Sequence, residues 1–288
     1  MEHVYSKEDI RRTYEPIRDH IRTKHIIVQY ALNRLDIRDV ALHNLDLSGV
    51  KRVLDIGCGY GFFTEKLKER LHPAARIVGI DVIDRHNRDA FLQTLDSIGY
   101  QGDFIHAQAD FIKDIPDSSF DLVIASYSLY FFPHLIGEIA RILSPEGVFL
   151  TVTHSKHSLK EVTRYVPRCM KMVGIDPPVE IAINRLFQSF SLEDGEAKLT
   201  PHFGCIERIV YLNDLLFPLD QVTECLSYLD KKKFLIMKEV ADNNPQKLED
   251  MLWCFNAMVC DHARLHGDII ITKDDAVFRC SLPQKRGF

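Results

Sequence analysis

Asp55 and Asp81 close two consecutive apolar runs, Val53-Leu54 and Ile77-Val78-Gly79-Ile80, and between them lie Gly57, Gly59 and Gly61 in a G-x-G-x-G spacing. An apolar run that opens into glycines is a turn where a strand hands over to a helix and the backbone must approach a ligand closely, which side chains would block. A carboxylate at the end of the next strand is placed to accept hydrogen bonds from two ribose hydroxyls. The chemistry this implies is the holding of a nucleoside. The dinucleotide spacing G-x-G-x-x-G needs a glycine at position 62, and Phe62 stands there, which argues against a pyrophosphate resting on the helix N-terminus.

Further along, His154 follows an apolar run at 147–153 and is the leading candidate for a base that takes a proton from an acceptor; a hydrogen-bonding or exposed histidine is the plainer alternative. Tyr127, Tyr130, Phe131 and Phe132 form an aromatic cluster that suits either the wall of a pocket for a cationic or flat acceptor or ordinary core. Phe131 and Phe132 read as core, and Tyr130 as pocket. Tyr14 fits a pocket-closing role and a core role equally. His154 and His157 lie three apart with no third and fourth ligand at a recognisable spacing, so no metal is expected.

These residues need elements to hold them. Ser6 and Asp9 have capping-box spacing, and Pro16 interrupts the helical periodicity of the first forty residues, which predicts a short helix to about Tyr14 and a longer one from Pro16. From Lys51 to Thr153, strands at 52–56, 76–80, 103–107, 120–125 and 147–153 alternate with helices near 61–71, 86–98 and 133–143. Such alternation implies parallel strands with helices on both faces, and ligands at the carboxyl ends of the strands. Residues 155–202 and 213–267 read as mostly helical, Ile206–Leu212 as a strand, and Ile269–Thr272 with Ala276–Cys280 as a closing hairpin about a Lys273-Asp274-Asp275 turn.

Taken together, the chain resembles the class I S-adenosylmethionine (SAM)-dependent methyltransferases. Asp55 looks like the acidic residue that opens that family's glycine loop, and Asp81 like the one that holds the ribose. Ala109-Asp110-Phe111 is similar to the segment that contacts the adenine, and Phe120 to Ser126 to the strand under the methionine part. Leu143-Ser144-Pro145-Glu146-Gly147 is similar to the Leu-x-Pro-Gly-Gly turn before the fifth strand, with Glu146 in place of the first glycine. The likeness covers residues 50–153. It implies a Rossmann-like, doubly wound α/β fold with a mostly parallel seven-stranded sheet and a helical lid. It also implies SAM as cofactor, held by Asp55, Gly57, Cys58, Gly59, Gly61, Asp81, Val82, Asp110, Phe111 and Ser126. Cys58 is then a small residue at the cofactor rather than a nucleophile. The acceptor would meet Tyr14, Tyr127, Tyr130 and His154, with His154 and Tyr130 nearest the chemistry. Phe190 to Gly195, with Phe203 and Tyr211, looks like the lid of small-molecule methyltransferases.

The expected organisation is a helical cap over 1–45, a SAM-binding core over 46–154, lid and substrate-binding insertions with a sixth strand over 155–267, and a terminal hairpin over 268–288. A net charge of -5 argues against nucleic acid or an anionic membrane as partner; seven cysteines without a C-x-x-C pair suit a reduced, cytoplasmic protein. No signal peptide and no long apolar span are visible, and a monomer or homodimer is expected. The sum is a small-molecule methyltransferase. Two alternatives stay open: other SAM chemistry, such as cyclisation of the aminobutyrate chain with release of methylthioadenosine, and SAM binding without catalysis.

Overall fold

The apolar runs become strands because they are β-branched and buried on both faces, as parallel strands under helices must be. A computed structural model describes residues 4–84 and 86–284. The nine strands among the described residues are β1 (Arg52–Ile56), β2 (Arg76–Asp81), β3 (Gln101–His106), β4 (Phe120–Ser126), β5 (Leu143–His154), β6 (Phe203–Tyr211), β7 (Asp214–Phe217), β8 (Ile269–Thr272) and β9 (Asp275–Pro283). Five helices bear on the argument: α1 (Lys7–Tyr14), α2 (Ile17–Tyr30), α3 (Ile37–Leu42), α4 (His86–Ile98) and α5 (Ile136–Ile142).

The chain divides into two compact units. One holds residues 35–154, 189–211 and 275–288 and contains a seven-stranded sheet in the order β3-β2-β1-β4-β5-β9-β6. β1 pairs parallel with both β2 and β4, and the chain winds outward through β3 before returning to β4 and β5. The reversal between β1 and β4 is a topological switch point, so the loops after these two strands share one edge of the sheet. β9 runs antiparallel to β5 on one side and β6 on the other, which brings its first residue, Asp275, level with His154 and Tyr211. Arg279 in β9 donates to the carbonyls of Val40, Ala41 and His43 at the end of α3.

The other unit holds residues 1–34, 155–188 and 212–274. The Ser6 and Asp9 capping box opens α1, and α2 starts after Pro16, as the sequence predicts. β7 pairs with β8, and Ala31 makes an isolated bridge to Leu215. No helix among the described residues is long and apolar enough to cross a membrane.

Several expectations are corrected. β8 and β9 do not form a hairpin: Lys273 and Asp274 are bonded to Asn213, and the Asp274 carbonyl to the Ser155 N–H, so the chain is pinned between the strands and they diverge. A strand, β7, interrupts the stretch 213–267 read as helical. The helix expected over 61–71 is reduced to a 3-10 turn, Thr64–Leu67, after which Lys68 turns extended and Glu69 takes a positive φ. Leu143 to Gly147 falls within the span of β5, but Leu143 pairs with Phe120 and the next pair is Val148 with Leu122, so residues 144–147 loop out of the ladder before the regular strand. Phe203 and Tyr211, read as lid, are the two ends of β6, and Phe190 packs edge-on against Phe278 of β9.

Candidate active site

At the switch point the glycine loop is tied down from several sides. The N–H groups of Gly57 and Cys58 donate to the Ile80 carbonyl at 2.7 and 3.2 Å, and Ser128 Oγ, beyond β4, donates to the Ile56 carbonyl at 2.7 Å. A Cβ on Gly57 would sit 2.6 Å from that of Ser128, and one on Gly61 3.0 Å from Thr94 of α4. These two glycines are therefore required by close packing. Gly59 differs. Its φ is +52°, and a Cβ there would meet nothing within 4 Å, so this glycine faces open space.

Asp81 binds the same loop. Its Oδ2 accepts from the Gly59 N–H and its Oδ1 from the Ile83 N–H, both at 2.8 Å, and burial raises its pKa. Asn87 Nδ2 lies 3.5 Å from Asp81 Oδ1. Val82, beside it, has its carbonyl bonded to the His106 ring. Asp55 is fully buried, accepts from Thr64 Oγ1 at 2.7 Å, and is pushed up to about 7 by burial, with the Thr64 bond opposing and the Asp81 charge adding.

Cys58 turns its thiol toward Gly79 and Phe91, its carbonyl accepts from Gly61, and burial first, then Asp81 and Asp55, hold the thiol far above its ordinary pKa. Burial thus favours the protonated thiol, the form that is the weaker nucleophile. Phe62 is covered by the Arg38 guanidinium 3.8 Å from its ring, and Arg38 also donates to the Phe62 carbonyl, so the large residue at that position serves to anchor the loop to α3. Asp110 pairs with Lys113 and His134, which lower its pKa, and Phe111 is exposed. Ser126 ends β4 beside Val152.

A second group lies where β4 and β5 end and β9 begins. His154 Nδ1 is 2.7 Å from Asp275 Oδ1, and Tyr127 Oη donates to Asp275 Oδ2 at 2.8 Å. The rings of Tyr127 and Tyr130 lie 4.7 and 5.7 Å from that of His154. Tyr130 is 4% exposed, so it supports this group from within. Three of the four residues expected to meet the acceptor are thus together; Tyr14 belongs to the other unit, where it stacks on His20. Asp275, Ser128 and Thr64 were not foreseen from sequence. Asp275 lies 121 residues from its histidine, and no local spacing signals it.

The carboxyl group at Asp55 makes a testable prediction. A folded-state pKa raised from 3.8 to about 7 means that Asp55 stabilises the fold in its protonated form; that stability is complete below about pH 4 and is lost as the pH rises through about 7. The gap corresponds to about 4 kcal/mol at full ionisation. Asp55→Asn should flatten the decline in melting temperature of SAM-free protein between pH 5 and 8; an unchanged slope would show that Asp55 does not carry it. Asp81, raised in the same direction, keeps part of the decline in the variant.

Residues 53–147 match the family described as a methyltransferase domain. The chain is 32% identical over 140 residues to phthiotriol/phenolphthiotriol dimycocerosates methyltransferase 1 of Mycobacterium ulcerans, a match covering 47% of this chain and 44% of that protein. It is 33% identical over 110 residues to trans-aconitate 2-methyltransferase of Escherichia coli, covering 37% of this chain and 40% of that one. The chain spans about half the length of the curated relatives it matches. The fold is shared with the cyclopropane synthase MmaA2 of Mycobacterium tuberculosis, at a TM-score of 0.52 and 14% identity over 97% of this chain and 99% of that one. The segment 53–147, whose glycine loop closes on Asp81 at the switch point of a Rossmann-like sheet, is thus the part of the chain that matches the methyltransferase-domain family.

Proposed function

We propose that this protein transfers the methyl group of SAM to an oxygen or nitrogen nucleophile of a small molecule. The observation that carries the reading is Gly59, a left-handed glycine that faces open space while its N–H is held by the ribose-type carboxylate Asp81. Packing explains the other two glycines; at Gly59 the left-handed φ favours glycine and the space a side chain would take is open for a ligand, and the residues present fit SAM. Asp81 and Val82 would hold the ribose side, Asp110 and Phe111 the adenine, and the loop from Asp55 to Gly61 with Ser126 the methionine part. Bound there, SAM supplies an electrophilic methyl carbon.

What the protein must add is alignment, exclusion of water and no competing nucleophile. Cys58 meets the last condition, because its buried thiol stays protonated. His154 is the residue proposed to receive the acceptor, as base, with the rings of Tyr127 and Tyr130 packed against it. The reading is of a cytoplasmic enzyme, which all seven cysteines, free in the structure, support.

Incubation with SAM and a panel of phenols, hydroxy acids and amines, followed by mass spectrometry, tests it. S-adenosylhomocysteine (SAH) is the expected by-product. Methylthioadenosine would replace methyl transfer by attack on the aminobutyrate chain, and binding without either product would leave a SAM-binding protein.

A further inference from the structure

The pairing register sets His154, Asp275 and Tyr211 abreast on β5, β9 and β6, and facing residues in a sheet present their side chains to the same face. Asp275 is 1% exposed, yet both of its oxygens have partners: Nδ1 of His154 on one and the Tyr127 hydroxyl on the other. We propose that Asp275 is the positioning residue that makes His154 a base, and that the acceptor is accordingly a hydroxyl group. This rests on the methyltransferase reading above and deepens it.

A carboxylate only accepts, so the imidazole proton facing Asp275 sits on Nδ1 and the basic nitrogen is Nε2. Tyr127 remains a donor, because burial first, and then the charge of Asp275 and their hydrogen bond, hold its pKa far above neutrality. Two donors on two oxygens favour the ionised carboxylate despite its burial. Tyr127 and Tyr130 from the segment after β4 and Tyr211 from β6 face the pair; burial, then the charges of Asp275 and Asp36, push the Tyr211 phenol up to about 12, so Tyr127 and Tyr211 add no charge near neutral pH and Asp36 is a further carboxylate close to Tyr211. Tyr127 also adopts a φ of +53°, a conformation unfavourable for a side chain of its size, which the surrounding bonds maintain.

An ammonium can lose its proton to water before it binds and then attacks as a neutral amine, already a good nucleophile, and a carboxylate has no proton to lose. A hydroxyl is a poor nucleophile unless its proton leaves as the new bond forms, so it is the acceptor for which a built base is useful. As the acceptor oxygen bonds to the methyl carbon, its proton passes to Nε2 of His154, and the electron pair of the broken carbon–sulfur bond stays on sulfur. Asp275 stabilises the resulting imidazolium and is not itself protonated.

The test compares wild type with His154→Gln, Asp275→Asn, Asp275→Glu and Tyr127→Phe, using the phenol and hydroxy-acid members of the panel. Calorimetry with SAH should give affinities within about twofold of wild type, showing an intact cofactor site. At pH 7, turnover of hydroxyl acceptors should fall by about 100-fold in His154→Gln and by at least about tenfold in Asp275→Asn, with partial recovery in Asp275→Glu. The acidic limb of the rate profile should move down by about one pH unit in Asp275→Asn, because the imidazolium loses its counter-charge. A wild-type profile in that variant, or SAM turned over only with carboxylate or amine acceptors, overturns the proposal. Failure to bind SAM at all would instead remove the methyltransferase reading. The His154 titration, followed by NMR in ligand-free wild type and Asp275→Asn, then still decides whether the pair exists: an unchanged midpoint overturns it.

Discussion

A Gly59→Val variant is expected to fold and to lose SAM binding altogether. The cost to the fold is confined to the backbone, since a side chain at this position meets no protein atom within 4 Å and only the left-handed φ of +52° is unfavourable, by about 1–2 kcal/mol. The cost to binding is larger, because a branched side chain would fill the space that glycine leaves for the ligand. A loss of more than about 100-fold in affinity is expected by calorimetry, equivalent to about 3 kcal/mol. Gly57→Ala supplies the contrast: its Cβ would strike Ser128, so its main effect should be a lower melting temperature. A Gly59→Val protein that binds SAM normally would show that the loop is not the cradle.

Asp81→Ala should weaken SAM or SAH by at least about 2 kcal/mol, roughly 30-fold, while the protein stays folded. Two hydrogen bonds from hydroxyls to a charged acceptor are lost, each worth more than a neutral pair in a site of this burial. The same substitution frees the N–H groups of Gly59 and Ile83, so the loop also becomes less well defined before the ligand arrives. On stability the effects oppose one another: those two bonds are lost, but a buried carboxylate that raises the Asp55 pKa is removed as well. The melting temperature should therefore change little compared with the affinity. Unchanged affinity in Asp81→Ala would exclude this carboxylate from the ribose site.

Much of this was legible locally. The strand 52–56, the helix 86–98 and the capping box of Ser6 and Asp9 each depend on residues within a few positions of one another, and each stands where periodicity and cap chemistry place it. The glycine loop and Asp81 were legible for the same reason. What the sequence hid is what depends on distant partners. The Lys273-Asp274-Asp275 turn has the composition of a hairpin, but bonds to Asn213 and Ser155 lead β8 and β9 into different sheets. The apolar spacing of Phe63, Leu67 and Leu71 suits a helix, yet Thr64 commits its hydroxyl to Asp55 and the chain turns away at Lys68. Asp275 reads as a polar residue in a turn until β9 is seen to enter the sheet beside β5.

That late insertion bears on how the chain folds. β5 carries the run Val148-Phe149-Leu150-Thr151-Val152, and its outer edge is covered only when β9, whose Cys280 pairs with Phe149, joins from the far end of the sequence. During synthesis, and in any collapsed intermediate that has not docked β9, this hydrophobic, uncharged strand is an unprotected sheet edge. Closing so long a loop is entropically slow, so the exposed interval is extended. The final strand thus acts as the molecule's own guard against edge-to-edge aggregation, and chains that lack it should be handled by chaperones or precipitate rather than persist as half-built enzymes.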